Sequence, residues 1–174
     1  MIQYSKNMVI VHWLTLALLV AAWYLGDTLA EATDDGKATI AGYIVHASVG
    51  GVILLLTLSQ LYFRRRDGTP PMLADTPMSQ ILAKAVHYTL YTVLILLPVT
   101  GVTIILTSKV GQALLAGDAT MLPKKFDGVL AQAVHEQLVN VLIALVVLHV
   151  LGAIKHQFIM KDGLLSRMWL RNKG

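Results

Sequence analysis

The sequence contains no cysteine and few charged residues. None of its 174 residues is Cys, and only 14% are Asp, Glu, Lys or Arg. The absence of Cys excludes disulfides, thiolate metal sites, iron–sulfur clusters and the CxxCH attachment of c-type haem. Soluble domains carry about 25% charged residues, so the shortage of charge excludes an ordinary soluble protein. Together with 56% hydrophobic residues, it predicts an integral membrane protein, which we expect to form a single domain over residues 1–174.

Four apolar stretches are long enough to cross a bilayer, for which about 20 helical residues suffice. They cover roughly residues 8–25, 40–63, 86–107 and 134–158. The predicted fold class is therefore all-α, an integral membrane four-helix bundle. An even number of spans places both termini on the same side of the membrane.

The basic residues indicate which side that is. Ten fall on the side of the termini and four on the other side, so the positive-inside rule places both termini in the cytoplasm. We interpret the net charge of +4 as a consequence of this topology and not as a sign of nucleic-acid binding. The cytoplasmic set is Lys6, Arg64, Arg65, Arg66, Lys84, Lys155, Lys161, Arg167, Arg171 and Lys173, and the outer set is Lys37, Lys109, Lys124 and Lys125.

The connections between the spans are short. Asp34 to Gly36 is predicted to form a tight outer turn, and the longest outer loop, 108–133, is expected to contain a short surface helix. Pro98 is expected to kink the third span. Residues 30–32 (Ala-Glu-Ala) imitate a signal-peptide cleavage site, but the full length of the first span and its His12 argue against cleavage.

The fourth span carries His135 and His149, fourteen residues apart. At 100° and 1.5 Å per residue, they lie within about 40° of one helix face and about 21 Å apart. A bilayer core is about 30 Å thick, so one imidazole lies near each edge. Two haem groups, each bound by one imidazole of this helix, would explain the spacing. His46 is the only other histidine in the outer half, and it is therefore the predicted partner of His135.

The inner half holds His149 with three further histidines. His12 lies in apolar sequence, where an imidazole needs a partner. His87 and His156 lie beside lysines at the membrane interface, where water can hydrogen-bond to them. We therefore pair His12 with His149 and leave His87 and His156 for another role.

Two separated pairs favour haem over a bare metal ion. Zinc and copper sites usually bring three or four ligands together, whereas a haem iron takes one imidazole on each face of a flat ring. Small residues close to the proposed ligands leave room for such a ring, namely Gly42, Gly50, Gly51 and Gly152. The arginines Arg64, Arg65 and Arg66 are interpreted as a topology anchor, with a haem propionate contact as the alternative.

A haemless transporter or sensor that uses these histidines as a proton relay is an alternative from another class. Such a path needs polar residues along it. Between His135 and His149, three polar residues (Glu136, Gln137 and Asn140) are followed by eight apolar ones, so no continuous relay is visible.

Taken in order, these residues resemble the prokaryotic di-haem cytochrome b561 family, whose four-helix haem architecture is shared with the cytochrome b subunits of membrane formate dehydrogenases and hydrogenases. The resemblance covers essentially the whole chain. It implies two haem b groups, the cytoplasmic one bound by His12 and His149 and the periplasmic one by His46 and His135. The motifs are His12-Trp13, His46 with Gly50, Pro70-Pro71, His87, Leu97-Pro98-Val99-Thr100-Gly101, His135 with His149, and the tail from His156 through Lys161-Asp162-Gly163 to Leu165 and Arg167-Met168.

The resemblance also implies a multi-pass oxidoreductase of the bacterial inner membrane that moves electrons between a periplasmic one-electron donor and ubiquinone. Some family members look like superoxide oxidases. His87 and His156 are then the candidate catalytic residues, as quinone contacts or proton donors. The outer loops carry four Lys and six Asp or Glu, a mixed balance that weakens the case for superoxide. Two axial imidazoles leave the iron no open position, so we expect no binding of carbon monoxide.

The second functional hypothesis is a haem-b electron-transfer subunit that serves a partner dehydrogenase or a periplasmic cytochrome. The partners expected in either case are the lipid bilayer, a quinone and a periplasmic electron donor. The sequence leaves open whether the chain forms a homodimer.

Overall fold

The computed structural model describes residues 3–73 and 76–170. These ranges contain five α-helices and no strand, which confirms the all-α prediction. Arg171 and Lys173, counted above for topology, lie outside the described residues. The helices are α1 (Lys6–Asp34), α2 (Ile40–Asp67), α3 (Pro77–Thr107), α4 (Lys109–Ala116) and α5 (Leu130–Ile154).

Four of these helices, α1, α2, α3 and α5, are long and apolar enough to cross a membrane, as predicted. Three of them, α1, α2 and α3, are longer than the apolar stretches that predicted them, whereas α5 has the predicted 25 residues but begins and ends four residues earlier. The 29 residues of α1 extend about 43 Å at 1.5 Å per residue, well beyond a hydrocarbon core of about 30 Å. The predicted stretches therefore cover only the most apolar part of α1, α2 and α3. Residues 30–32, which imitate a cleavage site, lie inside α1.

The start of α3 differs most from its prediction. The Thr76 side chain caps the helix by accepting a hydrogen bond from the Ser79 amide. The Ser79 hydroxyl in turn accepts from the Thr76 amide, and Pro77 occupies the first turn. This capping box and the proline define a helix start nine residues before the predicted span. His87 consequently lies ten residues inside α3, whereas the sequence placed it at the beginning of the span.

The outer connections match their predictions. The turn after α1 contains Gly36 with a φ of 69°, a conformation that glycine adopts without strain. The expected short helix of the outer loop is α4, which buries Val110 and Ala113 completely. Gly111 lies so close to the carbonyl oxygen of Ile105 that a β-carbon would clash with it. The loop is therefore held tightly on the outer end of α3.

The long helices pack in pairs. α1 packs on α2, α3 packs on α5, and α2 packs on α3. Within the described ranges, α5 has no comparable packing against α1 or α2, and no side chain of α5 is buried. The helix that carries His135 and His149 therefore stands apart from the two helices that carry their predicted partners.

A buried hydrogen bond joins α1 to α2. The side-chain amide of Gln60 donates to the hydroxyl of Thr15 (2.8 Å), and that hydroxyl donates to the carbonyl of Val11 (2.7 Å). Both side chains are less than a tenth exposed. In lipid, the Gln60 amide has no water to replace Thr15 as an acceptor.

We expect Thr15→Val to destabilise the protein by about 1–3 kcal/mol, because it keeps the side-chain shape and leaves the Gln60 amide without an acceptor. Thr103→Val is the matched control, since the Thr103 hydroxyl bonds only to Val99 of its own helix. The measurement is the thermal unfolding midpoint in detergent, followed by circular dichroism. Equal midpoints for the two variants would show that the bond between α1 and α2 contributes nothing.

Candidate functional site

The outer site joins α2 to α5. The ring centres of His46 and His135 lie 6.3 Å apart, with the ring planes inclined by 71°. The structure therefore brings the two outer histidines next to each other. Their contact is made across two helices that do not otherwise pack closely.

The Nδ1 atom of His135 is held by Thr100. The Thr100 hydroxyl lies 2.8 Å from the carbonyl of Leu97 and 2.9 Å from Nδ1 of His135. When the hydroxyl donates its one proton to the carbonyl, its oxygen can only accept from Nδ1. In that arrangement His135 carries its proton on Nδ1, and the lone pair of its Nε2 is available to a metal.

His46 is held by the backbone of α1. A β-carbon added to Gly26 would lie 3.0 Å from Cε1 of the His46 ring, so only glycine allows the helix to approach this closely. The buried Nδ1 of His46 makes no hydrogen bond of good geometry, although the carbonyl of Ala22 faces the ring. The ring is oriented mainly by contact with α1.

The inner site contains three imidazoles. His12 of α1 lies 6.2 Å from His149 of α5, measured between ring centres. His87 of α3 lies closer to His149, at 5.1 Å, with the two rings nearly perpendicular. Nδ1 of His87 donates to the carbonyl of Ala83 (2.6 Å). His87 is therefore a neighbour of the pair and not, as the sequence suggested, a water-exposed interfacial residue.

The distances within the two pairs fit a metal held between two imidazoles. A metal–nitrogen bond of about 2.0 Å and about 1.2 Å from nitrogen to ring centre place the centres about 6.4 Å apart. The pairs His12–His149 and His46–His135 match this value, whereas the contact of 5.1 Å between His87 and His149 is too short for it. In the described ranges, no three His, Asp or Glu converge as a bare metal site would require.

The predicted glycines divide into two groups. A β-carbon at Gly50 or Gly152 would meet no atom within 4 Å, so open space lies beside each site. Gly51 meets none either, but it is exposed. Gly42 does not supply room for a ring, because it packs against Leu29 of α1. With α5 set apart from α1 and α2, Gly50 and Gly152 leave space for a flat ring at each pair.

His156 follows α5 in a π-helical turn, Lys155–Met160. Turns of this type are frequent at functional sites. Nδ1 of His156 lies 2.5 Å from a carboxylate oxygen of Asp162, whose other oxygen accepts from the Leu164 amide (3.1 Å). Asp162 thus fixes the imidazole and leaves its Nε2 for another partner. The buried side-chain oxygen of Gln157, the next residue, has no hydrogen bond.

Sequence reasoning missed the roles of Thr100, Asp162 and Gln157. Thr100 and Asp162 lie in motifs that were noted for the family resemblance, but nothing in the sequence shows that they contact His135 and His156. For the arginine anchor, the structure places Arg64 over the ring of Tyr88 and pairs Arg66 with Asp67 (2.6 Å).

The outer face carries a solvent-open depression of about 520 Å³. Three of its lining residues are lysines, Lys109, Lys124 and Lys125, and one is a carboxylate, Asp127. The remaining outer lysine, Lys37, is paired with Asp35 (2.8 Å). The positive charge of the outer loops is therefore concentrated in one place.

Asp118 organises the rim of this depression. Its carboxylate accepts hydrogen bonds from the hydroxyl (2.7 Å) and the amide (2.9 Å) of Thr120, a lining residue. These bonds lower the pKa of Asp118, the hydroxyl contributing most. Asp118 thus stays ionised at neutral pH and holds Thr120 in place.

Four membrane-spanning helices with paired histidines at two depths define the class of membrane b-type cytochromes. The family model for prokaryotic cytochrome b561 matches residues 3–171, so the chain belongs to this family. It is a multi-pass protein of the bacterial inner membrane that binds haem b and transfers electrons.

Curated relatives match along nearly their whole length. A protein of Yersinia pestis named "Probable superoxide oxidase CybB" is 28% identical over 99% of this chain and 98% of its own. "Cytochrome b561 homolog 1" of Escherichia coli is 28% identical over 98% and 99%. "Cytochrome b562" of Cereibacter sphaeroides is 27% identical over 95% and 94%. No solved structure matches the chain.

Proposed function

We propose that the protein is a di-haem quinone reductase of the superoxide oxidase type. Its outer haem b is bound by His46 and His135, and its inner haem b by His12 and His149. The observation that carries this proposal is the pair of imidazole separations, 6.3 and 6.2 Å, between helices that do not otherwise pack closely. Haem b supplies a reversible one-electron iron couple at each depth.

The residues around the outer pair prepare it for this role. Thr100 holds His135 in the tautomer that offers Nε2, and Gly26 lets α1 fix the ring of His46. The lysines of the outer depression attract anions from the periplasm and raise their local concentration. Superoxide is such an anion, and each one that gives up an electron becomes dioxygen. The relative named as a probable superoxide oxidase is consistent with this donor.

On the cytoplasmic side, ubiquinone takes up two electrons and two protons. His156, held by Asp162, is placed to deliver a proton through Nε2. His87, whose ring contacts that of His149, is the proposed quinone contact nearest the inner pair. The Gln157 oxygen needs a hydrogen-bond donor, and a quinol hydroxyl is one. Two superoxide anions and two protons thus balance one ubiquinone reduced to ubiquinol.

The ligand assignment is tested by counting haem per purified chain, with the reduced-minus-oxidised visible spectrum. We expect two low-spin b haems in the natural sequence, one in His46→Ala, one in His12→Ala, and two in His87→Ala, since His87 is too close to His149 to share an iron with it. Carbon monoxide should leave the reduced spectrum unchanged.

If His87→Ala lost a haem while His12→Ala kept both, the inner pair would be wrongly assigned. A strong spectral shift with carbon monoxide would mean that one iron has an open position. A natural chain without haem would overturn the proposal.

The donor is tested by supplying superoxide from an enzymatic source to protein in liposomes and following ubiquinone reduction. We expect Lys124→Gln with Lys125→Gln to slow the reaction several-fold at low ionic strength, and the difference to shrink as salt screens the charges. Lys37→Gln is the control, because Lys37 is paired with Asp35 and does not line the depression. Ubiquinone reduction that superoxide dismutase does not inhibit would exclude superoxide as the donor.

The second candidate, an electron-transfer subunit, is favoured by the same depression, since an acidic periplasmic cytochrome would also dock on lysines. The two are separated with the purified protein alone. Ubiquinone reduction by superoxide without any partner supports the oxidase. Reduction that requires a protein recovered in mild detergent supports the subunit.

The role of His156 is tested with His156→Gln, for which we expect haem reduction by the donor to remain and ubiquinone reduction to fall at least tenfold, because the proton donor is lost. Stopped-flow spectra should then show reduced haem accumulating. Lys155→Gln, at the exposed neighbouring position, should behave like the natural sequence. If His156→Gln reduced ubiquinone at the natural rate, protons would enter elsewhere.

A further inference from the structure

Arg167 is a buried cation for which the described part of the chain supplies no counter-charge. It lies in the 3₁₀ turn Leu164–Met168, and the residue is 9% exposed. Nη1 donates to the carbonyl of Pro71 (2.5 Å), which is a neutral acceptor. Nε is buried without any partner. Within residues 3–73 and 76–170, no carboxylate lies within 4 Å of the guanidinium.

Such an arrangement calls for an anion. A buried charge without a counter-charge costs several kcal/mol, and the guanidinium group of arginine matches the two oxygens of a carboxylate. The chain supplies a fixed, desolvated guanidinium whose Nε still offers a hydrogen bond. Arg167 thus has the features of one half of an ion pair whose other half comes from a bound group.

The backbone around Arg167 is tied to the helix that carries His12. The amide of Tyr4 donates to the Arg167 carbonyl (3.2 Å). The indole of Trp13 donates to the Met168 carbonyl (2.7 Å). The same indole contacts the His12 ring, with 5.6 Å between centres. Arg167 is therefore anchored to the cytoplasmic end of α1. Its neighbour Met168 is bonded to Trp13, and Trp13 contacts His12 of the inner histidine pair.

We propose that Arg167 binds a propionate carboxylate of the inner haem. This inference rests on the proposed function, because it requires a haem held by His12 and His149. It identifies Arg167, and not the arginine anchor of residues 64–66, as the propionate partner. In that anchor, Arg66 is already paired with Asp67, Arg65 is exposed, and Arg64 lies over the ring of Tyr88. Among anionic groups, a phospholipid phosphate is the other source that the same guanidinium could bind, and the test separates the two.

The test is a redox titration of the purified haem-loaded protein in lipid nanodiscs. In Arg167→Gln we expect the midpoint potential of one haem to fall and the other to remain, because the lost positive charge no longer favours the reduced form. Arg167→Lys keeps the charge and should restore most of the potential, even if the bond geometry is poorer. Arg65→Gln is the matched control and should leave both potentials unchanged.

The lipid composition and the haem provide the second arm. If a lipid phosphate is the partner, exchanging phosphate-free glycolipid for phospholipid should shift the potential in the natural sequence but not in Arg167→Gln. If a propionate is the partner, the effect of Arg167→Gln should be the same in both lipids. In protein reconstituted with haem dimethyl ester, which has no carboxylates, that effect should largely disappear.

The outcomes distinguish the inference about Arg167 from the proposed di-haem function on which it rests. Two haems whose potentials in Arg167→Gln equal those in Arg65→Gln would overturn the role of Arg167 and leave the di-haem proposal intact. A natural chain that binds no haem at the inner pair would overturn both. If the Arg167→Gln protein fails to accumulate, Arg167→Lys takes its place. A smaller fall in potential that is seen with haem and disappears with haem dimethyl ester would support the propionate contact, and an equal potential in Arg167→Lys and the natural sequence with both haems would contradict it.

Discussion

The separation of α5 from α1 and α2 is the constraint on which the rest of the structure depends. α5 carries an imidazole for each site, yet it packs closely only on α3 and buries none of its own side chains. In a membrane, helices associate through close packing and polar contacts, and here the contacts across the gap are the two imidazole pairs. The positions of Gly26, Gly50 and Gly152 are consistent with this arrangement, since each keeps bulk away from a ring.

The two sites differ in what surrounds them, and this difference bears on the direction of electron flow. Nδ1 of the outer His135 lies 2.9 Å from the hydroxyl of Thr100, a neutral group. The inner pair has His87 beside it, and Arg167, whose Nε is buried without a partner, is tied to this end of α1 through the bond between Trp13 and the Met168 carbonyl. Positive charge near a redox group favours its reduced form. Under the proposed function, this asymmetry favours electron transfer from the outer haem to the inner haem.

The pairing of histidines could be predicted because depth follows directly from residue number on a straight helix. Each residue adds 1.5 Å, so the order of the spans was enough to pair His46 with His135. Pairing His12 with His149 also used the apolar sequence around His12, which favoured it over His87 and His156. The position of His87 could not be predicted in this way, because α3 begins at the capping box of Thr76, nine residues before the predicted span. Arg167 and Asp162 lie beyond a π-helical turn. The direction of their side chains therefore cannot be predicted from a helical period. Contacts between segments distant in the chain, such as Thr100 with His135, leave no local pattern.

The outer charges illustrate why composition is a poor guide to a binding surface. Counted over the loops, six carboxylates exceed four lysines, which weakened the case for an anionic donor. The structure shows that these charges are unevenly distributed. Lys37 is paired with Asp35, while the other three lysines surround one depression together with Asp127. The side chain of Lys124 also lies against Gly36, which joins the long outer loop to the turn after α1. An approaching anion responds to this local arrangement and not to the total, because ions screen charges beyond about 8–10 Å. The arrangement of the outer lysines therefore favours an anionic donor more than their number does.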